Sequence, residues 1–343
     1  MSDDTLFLRA CRRLPVERTP IWLMRQAGRS LPEYRALREK WSLIEIVAQP
    51  DLCAEVTLQP VRRLGVDAAV MFADIMLPLR GMGVAFELVE DVGPVISAPV
   101  RTPADVARLR PGVAGEAVPQ ILDAVRHVVA ESAVPVICFA GAPFTLASYL
   151  IEGRPSRDYR VAKQFMYQQP GAFFELLDKL ASTQIDYLRA QVAAGAQAIQ
   201  LFDSWVGALA PQDYEERVLP HTRRIFEETA DLGVPRIHFG TGTSELLELI
   251  ASAGCDVVSL DWRIGLDAGW ARVGELGVQG NLEPAVLLGP RALVEDRARD
   301  VLRRAAGRPG HVFNLGHGVP PEATIENLQA LVETVHAWSP VSA

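Results

Sequence analysis

Eight short, continuous apolar runs along the 343 residues constrain the fold of this chain more than any other feature. Each run is rich in Val, Ile or Phe and lacks the alternation of a strand with one face in water, which indicates strands buried on both faces. The runs occupy residues 20–24, 67–72, 134–140, 197–202, 234–239, 256–260, 276–280 and 311–315.

Helical patterns fill most of the gaps between these runs. Residues 172–194 carry apolar side chains at helical spacing up to Gly195, a residue type that commonly ends helices. Residues 321–338 repeat this apolar stripe. Residues 102–105, Thr-Pro-Ala-Asp, predict the start of another helix, because a hydroxyl, a proline and an acid follow one another at capping positions.

Strands that alternate with helices over this length predict an α/β fold, a single (β/α)8 TIM barrel forming one domain over residues 1–343. An N-terminal helical extension precedes the first strand. Residues 84–100 predict a β-hairpin insertion after the second strand, with its turn near Asp91–Gly93. The pattern leaves a doubly wound open sheet as the alternative fold.

Charge and cysteine content narrow the classes of function. The 34 Lys and Arg against 42 Asp and Glu give a net charge of −8, which disfavours nucleic acid and anionic membranes as partners. We expect neither a membrane-spanning helix nor a secretory signal. Because Cys11, Cys53, Cys138 and Cys255 are widely spaced, we expect buried, reduced thiols and a cytoplasmic protein.

Polar side chains follow the apolar runs, where the active site of a barrel lies. The first run leads into Arg25 and Arg29, whose guanidinium groups suit carboxylates or phosphates, and the second leads into Asp74. Later candidates of the same kind are Tyr149, Ser204 and His317. These residues alone leave simpler roles open, such as surface arginines, a helix-capping aspartate and a loop histidine.

Residues 314–318, Asn-Leu-Gly-His-Gly, precede a predicted helix. Free backbone N–H groups and the helix dipole predict an anion-binding turn around His317. The sequence contains no HExxH, GxxxxGK[ST] or GxSxG motif, and its six histidines are not paired at ligand spacing. We therefore predict no metal site.

Seven segments, in order, resemble the uroporphyrinogen decarboxylase family from about residue 5 to residue 338. The combination of RQAGR at 25–29 with NLGHG at 314–318 is the most specific part of the resemblance. The segments are residues 20–35, 70–79, 141–153, 201–205, 258–263, 278–284 and 311–328.

The resemblance implies a carboxy-lyase on a barrel with a deep cleft, without cofactor or metal. The implied reaction removes four carboxyl groups from the acetate side chains of uroporphyrinogen III, giving coproporphyrinogen III and CO2 in haem and chlorophyll biosynthesis. The implied partners are this small-molecule substrate and a second copy of the chain in a homodimer, with no nucleic acid and no membrane.

Position by position, the resemblance also implies the site. The residues matching substrate contacts are Arg25, Gln26, Ala27, Gly28, Arg29, Asp74, Tyr149, Ser204 and His317, and those matching catalytic positions are Asp74, Arg25, Tyr149 and His317. Arg38 matches a further arginine near the cleft. The chain departs from the family pattern at Ser30, Phe144 and Asp203, which affects packing rather than charge.

A reaction without a cofactor agrees with the chemistry of the substrate, because a protonated pyrrole accepts the electrons left when CO2 departs. A buried Asp74 carboxylate would bind pyrrole N–H groups and stabilise the positive charge. Arg25 is a poor acid, whereas His317 and Tyr149 titrate in a more useful range, so the sequence leaves the proton donor open.

Three other functions fit parts of the pattern. Zinc-dependent corrinoid or thiol methyltransferases on the same barrel need a His-x-Cys pair, but Gly240 follows His238 where the cysteine should be, and Cys255 has no partner. A non-catalytic tetrapyrrole-binding protein would lose Asp74 or the arginines. A nucleotide-dependent α/β enzyme would need a third glycine in residues 240–245.

Overall fold

A computed structural model describes residues 5–90 and 92–338 of the chain. Seven parallel strands pair in chain order, β1–β4–β5–β6–β7–β8–β9, and a separate antiparallel pair joins β2 to β3. The strands are β1 (Ala69–Val70), β2 (Phe86–Val89), β3 (Gly93–Ile96), β4 (Val136–Gly141), β5 (Ala198–Asp203), β6 (Arg236–Gly240), β7 (Val257–Ser259), β8 (Gly277–Leu282) and β9 (His311–Leu315). The predicted α/β barrel is confirmed.

Helices follow the strands along the chain. They are α1 (Leu6–Cys11), α2 (Pro32–Arg38), α3 (Leu43–Val47), α4 (Pro50–Leu64), α5 (Pro103–Arg108), α6 (Ala114–Ala117), α7 (Pro119–Glu131), α8 (Pro143–Glu152), α9 (Arg160–Gln168), α10 (Pro170–Ala193), α11 (Pro211–Arg217), α12 (Leu219–Glu227), α13 (Leu247–Ala251), α14 (Leu266–Val273), α15 (Arg291–Ala305) and α16 (Ile325–His336). Short 3-10 helices occupy Leu77–Met82, Val206–Ala208, Ala230–Leu232, Ser244–Leu246 and Pro284–Leu288.

The strands separate two apolar cores. Alternate strand residues such as Ile137, Phe139 and Ile237 pack together in the smaller core, where α1 also packs through Phe7. The residues between them, such as Cys138, belong to the larger core shared with the helices. This alternation fills the inside of the barrel with side chains and leaves the ends of the strands to form the site.

The first predicted strand, residues 20–24, differs from the prediction. Only Ile21 forms a β-bridge, parallel to Phe313. The Phe313 N–H donates to the Pro20 carbonyl oxygen at 2.8 Å, and the Asp67 N–H donates to the Ile21 carbonyl oxygen at 2.7 Å. The segment therefore still lies between β9 and the start of β1 and closes the ring of strands.

Side chains supply the hydrogen bonds that a longer ladder would give this segment. The Ile21 N–H donates to Asp67 Oδ2 at 2.8 Å, and the Met24 N–H donates to Asn314 Oδ1 at 3.0 Å. Pro20 has no N–H to donate. A regular strand does not form because these side-chain acceptors replace the backbone carbonyls.

The inserted hairpin is confirmed, with Phe86 opposite Ile96 and Val89 opposite Gly93. Asp91, part of its predicted turn, lies outside the described residues. The predicted caps are also present: the Asp105 N–H donates to Thr102 Oγ1, and the Asp105 carboxylate accepts from the Thr102 N–H. No helix in the described ranges has the length and apolar character needed to cross a membrane.

Of the helices predicted over 172–194 and 321–338, the first has nearly the predicted bounds in the structure and the second does not. The helix predicted over 172–194 is α10, and Gly195 follows it with φ +114°. The helix predicted over 321–338 begins only at Ile325, where Thr324 Oγ1 accepts from the Asn327 N–H. The later start matters for the site, because it moves the end of the helix dipole away from residues 314–318.

Candidate active site

A cavity of about 730 Å³ opens at the carboxyl ends of the barrel strands. Its volume is within the range of small-molecule sites. Eight of the nine predicted substrate-binding residues line it: Arg25, Ala27, Gly28, Arg29, Asp74, Tyr149, Ser204 and His317. Arg38 lines it as well, so local arginines face one cavity in an acidic chain.

Gln26, the ninth predicted substrate-binding residue, does not line the cavity. Its side chain is fully buried, donates to the Ala68 carbonyl oxygen at 3.0 Å and accepts from the Leu23 N–H at 2.9 Å. The first hydrogen bond ties the turn after residues 20–24 to the residue before β1, and the second closes the turn itself. Gln26 therefore holds the shape of the arginine-bearing loop from behind.

Arg25 has an unusual backbone conformation, with φ +61° in the left-handed region. A non-glycine residue there is strained, and such strain is concentrated at functional sites. Two glycines make room for it. A Cβ at Gly28 would lie 2.9 Å from the Arg25 carbonyl oxygen, and a Cβ at Gly318 would overlap the Arg25 side chain.

Asp74 follows β1 and makes a capping contact while it also faces the cavity. Its Oδ1 accepts from the Met76 N–H at 2.8 Å, which caps the turn before the 3-10 helix Leu77–Met82. The same side chain lines the cavity. Burial raises the pKa of Asp74, and the backbone N–H of Met76 and the charge of Arg25 partly oppose this rise. A further positive charge in the cavity would lower the pKa of this carboxyl group and favour its ionised form.

His317 lies in the cavity as a neutral imidazole. Burial lowers its pKa to about 4, and the charges of Arg25 and Arg263 act in the same direction. Its ring makes an edge contact with Phe239 at a centroid distance of 6.1 Å. A neutral ring has one N–H donor and one nitrogen acceptor, so it suits hydrogen bonding better than attraction of an anion.

The predicted anion-binding turn at residues 314–318 lacks the helix dipole that was one of its two predicted features. The α16 helix begins at Ile325, and its first turn is capped by Thr324. The Gly316 N–H donates to the Leu282 carbonyl oxygen at 2.8 Å, and the Val319 N–H donates to the Met24 carbonyl oxygen at 2.8 Å. These N–H groups close the turn onto its neighbours, and no helix dipole points from it into the cavity.

Aromatic side chains form part of the cavity wall. Tyr149, in α8, meets the Trp205 ring edge-on at 6.1 Å, and Trp205 contacts Tyr159 at 5.7 Å. Burial raises the pKa of Tyr149, so its hydroxyl keeps its proton at neutral pH. Ser204 precedes Trp205 and also lines the cavity. The wall offers an apolar surface beside hydroxyl groups.

Sequence reasoning missed the contribution of the hairpin to the cavity. Leu88, Val89 and Val92 line it, and Glu90 forms an ion pair with Arg38 at 3.4 Å. Apolar residues in a short strand carry no signal of a binding role. Only the fold shows that the insertion after β1 lies against the mouth of the barrel.

The cysteines and His238 are buried within the described residues. All four cysteines are free and buried, as predicted. Burial raises the pKa of Cys53 and of Cys255 to about 12, the opposite of what a zinc-activated thiol site requires. His238 is fully buried, and the described ranges hold no group of three or more His, Cys, Asp or Glu placed to bind a metal ion.

Solved structures with a similar fold support the barrel. A methyltransferase from Methanosarcina mazei superposes with a TM-score of 0.81 at 19% identity, covering 96% of this chain and 97% of that one. A B12-independent methionine synthase from Shewanella sp. W3-18-1 gives 0.57 at 13% identity, covering 86% of this chain and 90% of that one. At such low identity these similarities concern the fold alone.

Sequence relatives are far closer. The chain is 52% identical over 343 residues to a uroporphyrinogen decarboxylase from Carboxydothermus hydrogenoformans, covering 99% of this chain and 98% of the relative. It is 54% identical over 335 residues to one from Streptomyces coelicolor, covering 97% and 94%. The family model for uroporphyrinogen decarboxylase (URO-D) matches residues 2–338. The chain therefore belongs to the uroporphyrinogen decarboxylase family.

Proposed function

We propose that this chain removes the carboxyl groups of the four acetate side chains of uroporphyrinogen III, producing coproporphyrinogen III and four CO2 in tetrapyrrole biosynthesis. The observation that carries the proposal is the single cavity that brings Asp74, Tyr149, Ser204 and His317 together with arginines at the carboxyl ends of the strands. Family membership and identities above 50% to decarboxylases over nearly the whole chain support it.

The arginines bind the carboxylates of the substrate. Uroporphyrinogen carries eight of them, and Arg25, Arg29 and Arg38 supply guanidinium groups that line the cavity. Such groups form paired, charge-assisted hydrogen bonds with carboxylates. The left-handed backbone at Arg25 fixes the direction of one of these side chains before the substrate arrives.

Asp74 binds the pyrrole N–H groups and stabilises the positive charge of the reacting ring. Each step begins with a proton added to the pyrrole α-carbon next to the ring carbon that bears the acetate, which makes the ring cationic and leaves the acetate-bearing carbon conjugated with the charge. The bond between the CH2 group and the carboxylate then breaks, CO2 leaves, and the electron pair neutralises the ring as an exocyclic alkene. A second proton on that CH2 carbon, with loss of the first from the ring, gives the methyl group.

The pKa values bear on the proton donor. With a pKa of about 4, His317 is neutral at pH 7, so it acts as a hydrogen-bond partner rather than as an imidazolium acid. Tyr149 keeps its proton because burial raises its pKa. Both groups orient the substrate at the reacting ring, and Ser204 contacts a substrate carboxylate.

Three further properties complete the proposal. The chain acts as one catalytic domain over residues 1–343, supported by a ring of strands that runs from Ile21 to Leu315. It forms a homodimer, which light scattering of the purified protein tests. It works in the cytoplasm, supported by four buried, unpaired thiols, and fractionation of cells tests this compartment.

The direct test is anaerobic incubation of the purified chain with uroporphyrinogen III, followed by oxidation and chromatography of the porphyrins by carboxylate number. We expect successive products with seven, six, five and four carboxylates, from loss of one acetate carboxyl at a time. Unchanged substrate with a folded protein would contradict decarboxylation. Tight binding without turnover would then favour a tetrapyrrole-binding protein, and activity with a thiol methyl acceptor and zinc would favour a methyltransferase.

A further inference from the structure

The backbone turn that carries Ser204 and Trp205 is anchored from behind the cavity wall. Thr145, in the first turn of α8, accepts a hydrogen bond from the Trp205 N–H at 3.2 Å and donates one to Asp203 Oδ1 at 2.9 Å. One hydroxyl thus joins the last residue of β5 to the turn that follows it. This geometry uses both the donor and the acceptor capacity of the threonine.

The anchor is enclosed by protein. Thr145 and Asp203 are both fully buried, and neither lines the cavity. The second carboxylate oxygen of Asp203 has no hydrogen-bond partner and lies 3.7 Å from His238 Nε2, which is also fully buried. Burial of a carboxylate that has one hydrogen-bond partner costs folding free energy. Such a group therefore calls for an explanation in the fold or in the site.

The anchored turn contacts the proposed binding surface in two ways. Ser204 and Trp205 both line the cavity, and Trp205 packs edge-on against Tyr149. On its other side, the turn is held by the Thr241 hydroxyl, which donates to the Ser204 carbonyl oxygen at 2.7 Å. A displacement of residues 204–205 would therefore move a hydroxyl and an aromatic face of the cavity together.

We infer that Thr145 and Asp203 are positioning residues for substrate binding, acting through the turn at residues 204–205. The inference rests on the proposed function, since it assigns these residues to the same cavity. Asp203 orients the Thr145 hydroxyl, and that hydroxyl fixes the Trp205 N–H and with it the direction of the Ser204 side chain. The signal is invisible in the sequence because Thr145 and Asp203 are 58 positions apart.

The test compares Thr145→Val, which keeps the shape but removes the hydroxyl, with Thr145→Ser, which keeps the hydroxyl. We measure KM and kcat with uroporphyrinogen III, and the Kd of coproporphyrinogen III under anaerobic conditions. We expect about a tenfold increase in KM and Kd for Thr145→Val, about what the loss of one buried hydrogen bond produces. We expect less than a threefold change for Thr145→Ser.

Thr334→Val is the matched control. Thr334 is another buried threonine, but its hydroxyl bonds only the Ala330 carbonyl within α16, far along the chain from the site. This variant should keep both constants at the wild-type values. If Thr145→Val does not fold, Asp203→Asn is used instead, because it keeps the shape of the acceptor and weakens its hydrogen bond to the threonine.

A double-mutant cycle with Ser204→Ala separates positioning from a general loss of packing. If Thr145 acts through the turn, Thr145→Val should raise the Kd less in the Ser204→Ala background than in the wild type. Equal increases in both backgrounds, or no increase in either, would overturn the inference. The cycle uses only Kd values for coproporphyrinogen III, so it can be completed even if the wild-type chain turns over no substrate. Binding without turnover would therefore contradict the proposed function but not this inference.

Discussion

The side chain of Arg25 packs directly on the backbone of Gly318, so closely that a Cβ at position 318 would overlap its methylene groups. The contact joins the loop after residues 20–24 to the loop after β9. Gly318 follows His317, so one backbone position sets the relation between a proposed carboxylate-binding group and an imidazole. The glycine is required here by close approach of a neighbouring side chain.

Gly318→Ala should therefore displace Arg25 while leaving the fold intact. A displacement of about 1 Å at a reacting group costs on the order of 100-fold in rate, so we expect kcat/KM for uroporphyrinogen III to fall by about that factor. Gly171→Ala is the control, because a Cβ at that position in α10 meets no atom within 4 Å. Equal activity of both variants would show that Arg25 tolerates the displacement.

Asp74→Asn should fold and lose activity. Removal of one preorganised charged group from a transition state costs on the order of 100-fold to 1000-fold in kcat, measured here by CO2 release or porphyrin chromatography. Asp296→Asn, at an exposed position of α15, should leave kcat unchanged. Unchanged turnover by the Asp74 variant would remove the proposed role of the carboxylate.

The same variant should be at least as stable as the wild type at neutral pH. Burial raises the folded-state pKa of Asp74 above its usual 3.8, so ionisation of this group costs stability once the pH rises through the raised value. Below pH 3.8 the group is protonated in both states and the cost disappears. Urea unfolding of the two proteins at pH 7 measures the difference, and a less stable Asp74→Asn protein at pH 7 would contradict it.

His317 should not titrate in the range of an ordinary histidine. Its pKa of about 4 keeps the ring neutral from pH 6 to pH 8, so kcat/KM should show no inflection from this residue there. Nuclear magnetic resonance of ring-labelled protein, with a His317→Gln variant to assign the signal, measures the pKa directly. A value near 6.5 would reopen the imidazolium form as the proton donor.

His221 should make the protein sensitive to acid. Burial lowers its pKa from the usual 6.5 to about 4, so the unfolded state binds the additional proton between these values. The free energy of unfolding should then fall by about 1.4 kcal/mol for each pH unit as the pH drops through this window, and the loss stops below about 4. His221→Leu should show a shallower dependence in urea unfolding from pH 6.5 to pH 4 and no such difference in slope above pH 7.

Gln26 should affect stability more than chemistry. Gln26→Leu leaves the Ala68 carbonyl and the Leu23 N–H unpaired in a buried turn, which costs about 1–3 kcal/mol of unfolding free energy for each group. Gln164→Leu, at an exposed position of α9, should cost far less. A Gln26 variant of wild-type stability that had lost substrate binding would instead support a direct contact.

The strand positions could be predicted because strands buried on both faces are continuous apolar runs in the sequence. The site residues could be predicted because, in a barrel, polar residues that follow these runs lie at the end of the barrel where the site is. Gln26 could not be placed, since a glutamine between two arginines has the same signature whether it turns toward a ligand or toward backbone carbonyls. The start of α16 was placed four residues too early because an apolar stripe shows which face of a helix is buried but not its first residue, whereas the capping hydroxyl of Thr324 decides where the helix begins.

The seam between residues 20–24 and β9 has a consequence for how this chain can change over generations. Its closure depends on side-chain acceptors such as Asp67 and Asn314, and the loop bearing Arg25 continues directly from it. A mutation that loosens the seam loosens the arginine loop as well. Selection for a durable scaffold and selection for catalysis therefore act on the same atoms, and neither property can drift there independently of the other.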